Sequence, residues 1–371
     1  MEHLPHAWCT AFPPQRIAAS RAQTMDNGAH LHRRAASLNP NNSAASAREA
    51  QRLAWARQAT GDHQLQLASA SSDAGFRSYW RGCANHRSCI VMDSPPALED
   101  VRPWLRMHAL LAQAEVRVPQ VRARDVDAGF LLLEDLGSAT YLDLLNDDNA
   151  DAMFDAALDQ LLRIQSIAPP DDLPAYDRGM LMRELRLFDD WFLRTHLGVE
   201  LDTREAAQLH ALYELLVEAA LRQRQVLVHR DFMPRNLMPA GAGAAVLDFQ
   251  DAVRGPLAYD ALSLYKDAFR GWPPARVEGW LMHYRRRALD RGLPVPDALA
   301  FARDADWIGV QRHLKVLGIF ARLRHRDRKP RYVADASRFV GYLTDVLPRY
   351  PELAPLAALL QRHVLPALDA H

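Results

Sequence analysis

The chain has 371 residues, enough for about two domains at ~150 residues each, and its 45 Lys+Arg are balanced by 45 Asp+Glu. With 49% hydrophobic and 24% charged residues, it has too much apolar surface to remain disordered and no basic excess to suit a nucleic-acid binder. No run of ~18 apolar residues exists to span a membrane, and a complement of only three cysteines suits a reducing compartment, so a cytoplasmic protein with no obligatory protein partner is expected.

Residues 1–47 carry Ser, Asn, Arg and Pro, few acids and no sustained apolar period. They are expected to form a disordered extension, with a transit peptide as the alternative. Residues 48–136 read as a first domain. A helix over Ala47 to Ala59 offers Leu53 and Trp55 for docking, and strands follow at Gln64 to Ala68, Phe76 to Arg81 and Cys89 to Met92. Strand alternation puts Arg77, Tyr79 and Arg81 on one face. Val101, Trp104, Leu105, His108 and Leu111 recur at helical spacing from about Leu98. Val118 to Arg122 and Phe130 to Leu133 are two further strands. Residues 137–371 are mainly helical, with segments at Tyr141 to Leu145, Ala152 to Ile167, Met180 to His196 and Arg204 to Gln223. Two short strands, Val226 to Val228 and Ala245 to Leu247, precede a return to helix from Ala261. The expected fold class is α+β, a small mixed sheet followed by a mainly helical domain.

The chemistry concentrates in Val226-Leu227-Val228-His229-Arg230-Asp231-Phe232-Met233-Pro234-Arg235-Asn236 and Val246-Leu247-Asp248-Phe249-Gln250. An apolar strand delivers His-Arg-Asp, an Asn stands five residues after the Asp, and a second apolar strand delivers another Asp. Phosphoryl transfer from ATP uses these parts: one carboxylate to orient a hydroxyl and accept its proton, then a carboxylate and a carboxamide as hard oxygen ligands for Mg²⁺. Asp231 is the candidate for the first role, Asn236 and Asp248 for the second. Each alone could be a cap or turn residue; their order and spacing together point to the chemistry. His229 reads as structural.

These two stretches resemble the catalytic loop and metal motif of the kinase superfamily. With Gln250 in place of a Gly and Gly255-Pro256-x-x-Tyr259-Asp260-x-x-Ser263-Leu264 following, they are similar to its aminoglycoside-phosphotransferase branch. Ser72-Asp73-Ala74-Gly75-Phe76-Arg77-x-Tyr79, Val91-Met92-Asp93-x-Pro95-Pro96, Leu133-Glu134-Asp135-Leu136-Gly137, Arg183-Glu184-Leu185-x-Leu187-Phe188-x-x-Trp191 and Lys315-Val316-Leu317-Gly318-Ile319-Phe320-Ala321-Arg322-Leu323 further resemble the anomeric kinases of N-acetylmuramate and N-acetylglucosamine. The resemblance implies a bilobal kinase-like fold with ATP in the cleft, and an amino sugar phosphorylated at C1 during cell-wall recycling. It also implies that Ser69 to Gly75, with Ser71 and Ser72, covers the phosphates, and that the backbone of Glu134 and Leu136 meets the adenine edge. Met233-Pro234 stands where that family has His-Ser.

Glu184, Phe188, Trp191 and Arg235 are the candidate substrate contacts. Against this, aromatics at helical spacing commonly belong to the core, and acids on a helix to a solvated face. The basic run from Arg324 to Arg331 could receive the lactyl carboxylate of muramate. Cys83-x₂-His86-x₂-Cys89 lacks the fourth ligand a zinc site needs. Two other functions are compatible with the motifs: a kinase of another small molecule such as a polycationic aminoglycoside, for which the acid-rich Asn146 to Asp159 would serve, or a non-catalytic nucleotide-binding scaffold, against which the intact Asp231, Asn236 and Asp248 speak.

Only three lysines occur, Lys266, Lys315 and Lys329. A superfamily kinase commonly uses an N-lobe lysine to hold the α- and β-phosphates; here Met92 stands at that place. Arg77 is the expected substitute and Arg81 the second choice, since an arginine fork can grip phosphate at two points.

Overall fold

The computed structural model describes residues 40–369 apart from 73–75 and 268. The contacts divide the chain into two compact units: Pro119–Asp135 joins everything described up to Arg102, and Pro103–Val118 joins everything from Leu136 onward.

In the first unit, helix α1 (Pro40–Thr60) precedes strands β1 (Leu67–Ser72), β2 (Ser78–Ala84) and β3 (Arg87–Asp93); β4 (Val121–Asp125) and β5 (Phe130–Glu134) complete the sheet. The spatial order is β1-β2-β3-β5-β4, with every neighbour antiparallel. Helix α1 begins seven residues earlier than the apolar pattern indicated. Its Ala56 packs into a core with Leu65, Ala84, Cys89, Val91 and Leu132, and Trp55, Leu67 and Trp80 close the edge. Two arginines fasten α1 to the sheet. Arg48 and Arg52 both donate to the buried Asp93 carboxylate, at 2.7 and 2.9 Å. Their guanidinium groups lie over the Phe130 and Trp80 rings at 4.0 and 3.6 Å, so charge and stacking act together.

The second unit contains α2 (Arg102–Gln113), α3 (Tyr141–Leu144), α4 (Ala150–Gln165), α5 (Arg178–Leu187) and α6 (Thr203–Arg222). Strands β6 (Gln225–Val228), β7 (Leu237–Ala240), β8 (Gly243–Val246) and β9 (Val253–Pro256) follow, then helices α7 (Ala258–Tyr265), α8 (Pro274–Asp290), α9 (Ala298–His325), α10 (Ala336–Val346), α11 (Ala354–Leu359) and α12 (Leu365–Asp369). Two small antiparallel ladders, β6 with β9 and β7 with β8, carry the loops of interest.

Three features depart from the expected elements. Apart from Arg102, α2 belongs to the second unit. Trp104 contacts Phe249 (centroids 5.1 Å apart), and the Val246 amide donates to the Arg117 carbonyl at 2.8 Å. The expected helix from Met180 to His196 changes character at Leu187 and continues as a π-helix over Phe188–His196. Strands β7 and β9, at four residues each, are too short and too rich in Pro and Gly to show as apolar runs. Helix α9 lies so close to this break that a Cβ on Gly318 would run into the Leu187 carbonyl; at this crossing glycine is required by space, not by its backbone angles. No helix among the described residues is long and apolar enough to cross a membrane.

Candidate active site

Strand β6 ends at Val228, and the next two residues are held from beneath by one buried carboxylate. Asp260, on α7, accepts the amides of His229 (2.7 Å) and Arg230 (3.0 Å). This grip holds Arg230 at φ +74°, in the left-handed region that non-glycine residues rarely adopt. The chain reverses there and presents Asp231. The His229 ring lies under the loop: its Nε2–H donates to the Leu247 carbonyl at 2.9 Å, and its Nδ1 accepts the Asp231 amide at 3.3 Å. His229 is therefore structural, as its sequence context indicated.

Asn236 closes a short 3₁₀ turn, Pro234–Asn236. Its Nδ2 donates to the Asp231 carbonyl at 2.9 Å and lies 3.5 Å from Asp248 Oδ2. The Leu247 amide donates to the Asn236 carbonyl at 2.9 Å, which locks the second motif against the first. Asp248 also takes a left-handed backbone, φ +60°, and Gln250 Nε2 donates to its Oδ1 at 2.8 Å. Asp231, Asn236 and Asp248 are thus tied into one loop pair. A carboxylate and a carboxamide side by side are the hard oxygen donors that suit Mg²⁺.

Burial pushes the His229 imidazole down to about 4. Burial pushes the Asp260 carboxyl up to about 7, although the His229 and Arg230 amides pull the other way. The two act oppositely on stability. His229, ordinarily near 6.5, stabilises the fold fully above that pH, and the contribution is lost as pH falls through 4. Asp260, ordinarily near 3.8, contributes fully below that pH, and the contribution is lost as pH rises through 7. Each is worth on the order of 3 kcal/mol. Replacing His229 with Gln leaves Asp260 unopposed. The variant should melt lower than wild type at pH 7.5, and this deficit should shrink as pH is lowered toward 4.5. A deficit that stays constant or grows with acid, measured by calorimetry, would contradict the assignment.

The other candidates are placed less uniformly. Ser71 and Ser72 lie in β1, paired with Tyr79 and Ser78; Asp73 to Gly75 of the expected phosphate loop lie outside the described residues. The Glu134 amide donates to the Gln120 carbonyl at 2.8 Å, and Leu136 begins the chain's passage into the second unit. Trp191 is half-buried in the π-helix and Arg235 is exposed, with its guanidinium 5.4 Å from the Phe269 ring centre.

Three expectations need correction. Phe188 is fully buried and stacks on Phe192, with centroids 5.6 Å apart, so it is core and not a sugar platform. Glu184 does not present a carboxylate to substrate, because Arg230, Lys315, Tyr176 and Gln311 all donate to it. Arg77 is buried, with Nε 3.3 Å from Glu99 Oε1, and Arg81 makes a two-point bond to Asp135 at 2.8 and 3.0 Å. Both expected phosphate grips are therefore engaged by carboxylates. Sequence reasoning missed the Glu184–Lys315 pair. The two residues are 131 positions apart, and only the packing of α5 on α9 brings them together.

Residues 66–301 match the model of the phosphotransferase enzyme family. An N-acetylmuramate/N-acetylglucosamine kinase of Pseudomonas aeruginosa is 52% identical over 296 residues, covering 80% of this chain and 88% of the relative. One of the same name from Neisseria meningitidis is 41% identical over 312 residues, covering 82% and 93%. Among solved structures, an ADP-bound aminoglycoside phosphotransferase aligns with a TM-score of 0.55 at 15% identity, covering 80% of this chain and 99% of that one. A choline kinase of Streptococcus pneumoniae aligns at 0.56 and 13% identity, covering 78% and 97%. Such structural likeness carries the fold alone: a small antiparallel sheet and a helical remainder of protein-kinase type. With a family match over well more than half its length, this chain belongs to the phosphotransferase enzyme family.

Proposed function

We propose that the protein transfers the γ-phosphoryl group of ATP to the anomeric hydroxyl of N-acetylmuramate or N-acetylglucosamine. The observation that carries the phosphotransferase chemistry is the linked loop pair, in which Asn236 is hydrogen-bonded to Asp231 and lies beside Asp248. The acceptor is taken from the relatives' substrates, which 52% identity over most of both chains supports.

Asp231 would hold the C1 hydroxyl and accept its proton. The hydroxyl oxygen then bonds to the γ-phosphorus as the bond from that phosphorus to the β,γ-bridging oxygen breaks, leaving ADP and a sugar 1-phosphate. Most of the acceleration comes from positioning and charge compensation. The Glu134 amide is occupied within the sheet, so its share of adenine recognition falls to the carbonyl, with Leu136 beside it. Asn236 and Asp248 would hold Mg²⁺, which offsets phosphate charge. Trp191 and Arg235 remain the substrate candidates.

One observation disfavours an aminoglycoside acceptor. Four of the five acids of Asn146 to Asp159 are paired with arginines: Asp147 lies 3.7 Å from Arg270, Asp151 3.1 Å from Arg276 and Asp155 2.6 Å from Arg287. Asp159 also pairs with Arg287. A polycation would have to displace these arginines. An ATP-consumption assay over a panel of amino sugars and aminoglycosides separates the readings. Turnover is expected with N-acetylated amino sugars, and turnover with aminoglycosides alone would refute the proposal.

A further inference from the structure

The residue before Asp231 is held at both ends. Its amide is fixed by Asp260, and its guanidinium is fixed by Glu184, with Arg230 Nη2 2.8 Å from Oε1. That same oxygen lies 3.0 Å from Lys315 Nζ. The other oxygen of Glu184 accepts from Tyr176 Oη and, at 3.4 Å, from Gln311 Nε2. Lys315 donates also to Tyr259 Oη at 3.1 Å, and Tyr259 precedes the Asp260 that holds the loop backbone. Lys315 comes from α9, one turn before Gly318, and Glu184 from α5, one turn before the Leu187 that Gly318 abuts. The close crossing of the two helices therefore brings ammonium and carboxylate together.

Two cations share one carboxylate in a nearly closed setting. Lys315 and Glu184 expose only 7% and 9% of their surface. Buried charge is tolerated when it is paired, and the pairing of Glu184 with both cations fixes where the Arg230 guanidinium lies.

We infer that Lys315 and Glu184 are positioning residues for phosphoryl transfer: by fixing both ends of Arg230's surroundings they set the orientation of the Asp231 that follows it. This rests on the proposed function, since it presumes that Asp231 carries the reaction. None of the four donors on Glu184 needs to touch substrate for this role.

The test compares kcat and KM of the full-length Lys315→Met, Lys315→Arg and Glu184→Gln variants and of the Lys315→Met/Glu184→Gln double variant, with ATP, Mg²⁺ and N-acetylglucosamine. Lys315→Met should lower kcat at least ~10-fold while the KM for ATP stays within about twofold, the pattern of a misplaced acceptor group. Lys315→Arg should recover most of the loss. The double variant should be no worse than the weaker single one, because both act through one carboxylate. Wild-type kcat in Lys315→Met, no recovery in Lys315→Arg, or independent losses that multiply would overturn the inference. If Lys315→Met does not fold, Glu184→Gln and Lys315→Arg decide on the same criteria. Wild-type protein that phosphorylates no sugar would refute the proposed function instead; the variants would then be read on ATP hydrolysis.

Discussion

Replacing Asp231 with Asn is expected to reduce sugar phosphorylation by ~10²–10⁴ while leaving ATP affinity within a few-fold. The structure separates the side chain's chemistry from its support. Asp231 is fixed through its backbone, its amide bonding to His229 Nδ1 and its carbonyl accepting from Asn236. Neither bond uses the carboxylate. An asparagine keeps the loop and removes only the group that can take the hydroxyl proton. The melting temperature should therefore stay close to wild type while kcat falls. Steady-state kinetics beside calorimetric ATP titration checks both halves. Near-normal turnover in a folded variant would remove Asp231 from the reaction.

The second large effect is expected at Asp248. Asp248→Asn preserves the side-chain shape beside Asn236 and Gln250 but exchanges a carboxylate for a weaker hard-cation ligand. Nucleotide affinity in the presence of Mg²⁺ should fall at least ~10-fold, equivalent to about 1.4 kcal/mol or more. In EDTA the affinities of variant and wild type should converge. Asn236→Ala should produce a smaller loss, since a carboxamide contributes less. Titrations with and without Mg²⁺ measure this directly, and an unchanged Mg²⁺ dependence in Asp248→Asn would show that the metal is held elsewhere.

The parts legible in the sequence are those whose chemistry is local. Asp231, Asn236 and Asp248 lie within 18 consecutive residues, and the geometry that joins them is set by one turn and one hairpin. His229 was legible for the same reason. What escaped depends on contacts between distant segments. Arg77 and Arg81 present a plausible phosphate face until Glu99 and Asp135 are brought beside them. Glu184 resembles a substrate ligand until α9 inserts Lys315. Phe188 was a candidate sugar contact weighed against the rule that aromatics at helical spacing belong to the core; the second reading holds, since Phe188 is buried against Phe192. Helix α2 was correctly read as a helix, but amphipathicity cannot say which unit receives its apolar side; Trp104 and Phe249 decide that. The acid-rich stretch shows the same limit, since its meaning changed once α8 supplied Arg276 and Arg287.

The central claim, phosphoryl transfer to the anomeric oxygen of an N-acetylated amino sugar, is tested most directly by phosphorus NMR of the product formed from ATP, Mg²⁺ and N-acetylglucosamine. A single new phosphomonoester resonance coupled to the anomeric proton, absent with Asp231→Asn, is the predicted result. A phosphate coupled to the C6 protons, or no sugar phosphate while an aminoglycoside is modified under the same conditions, would contradict it.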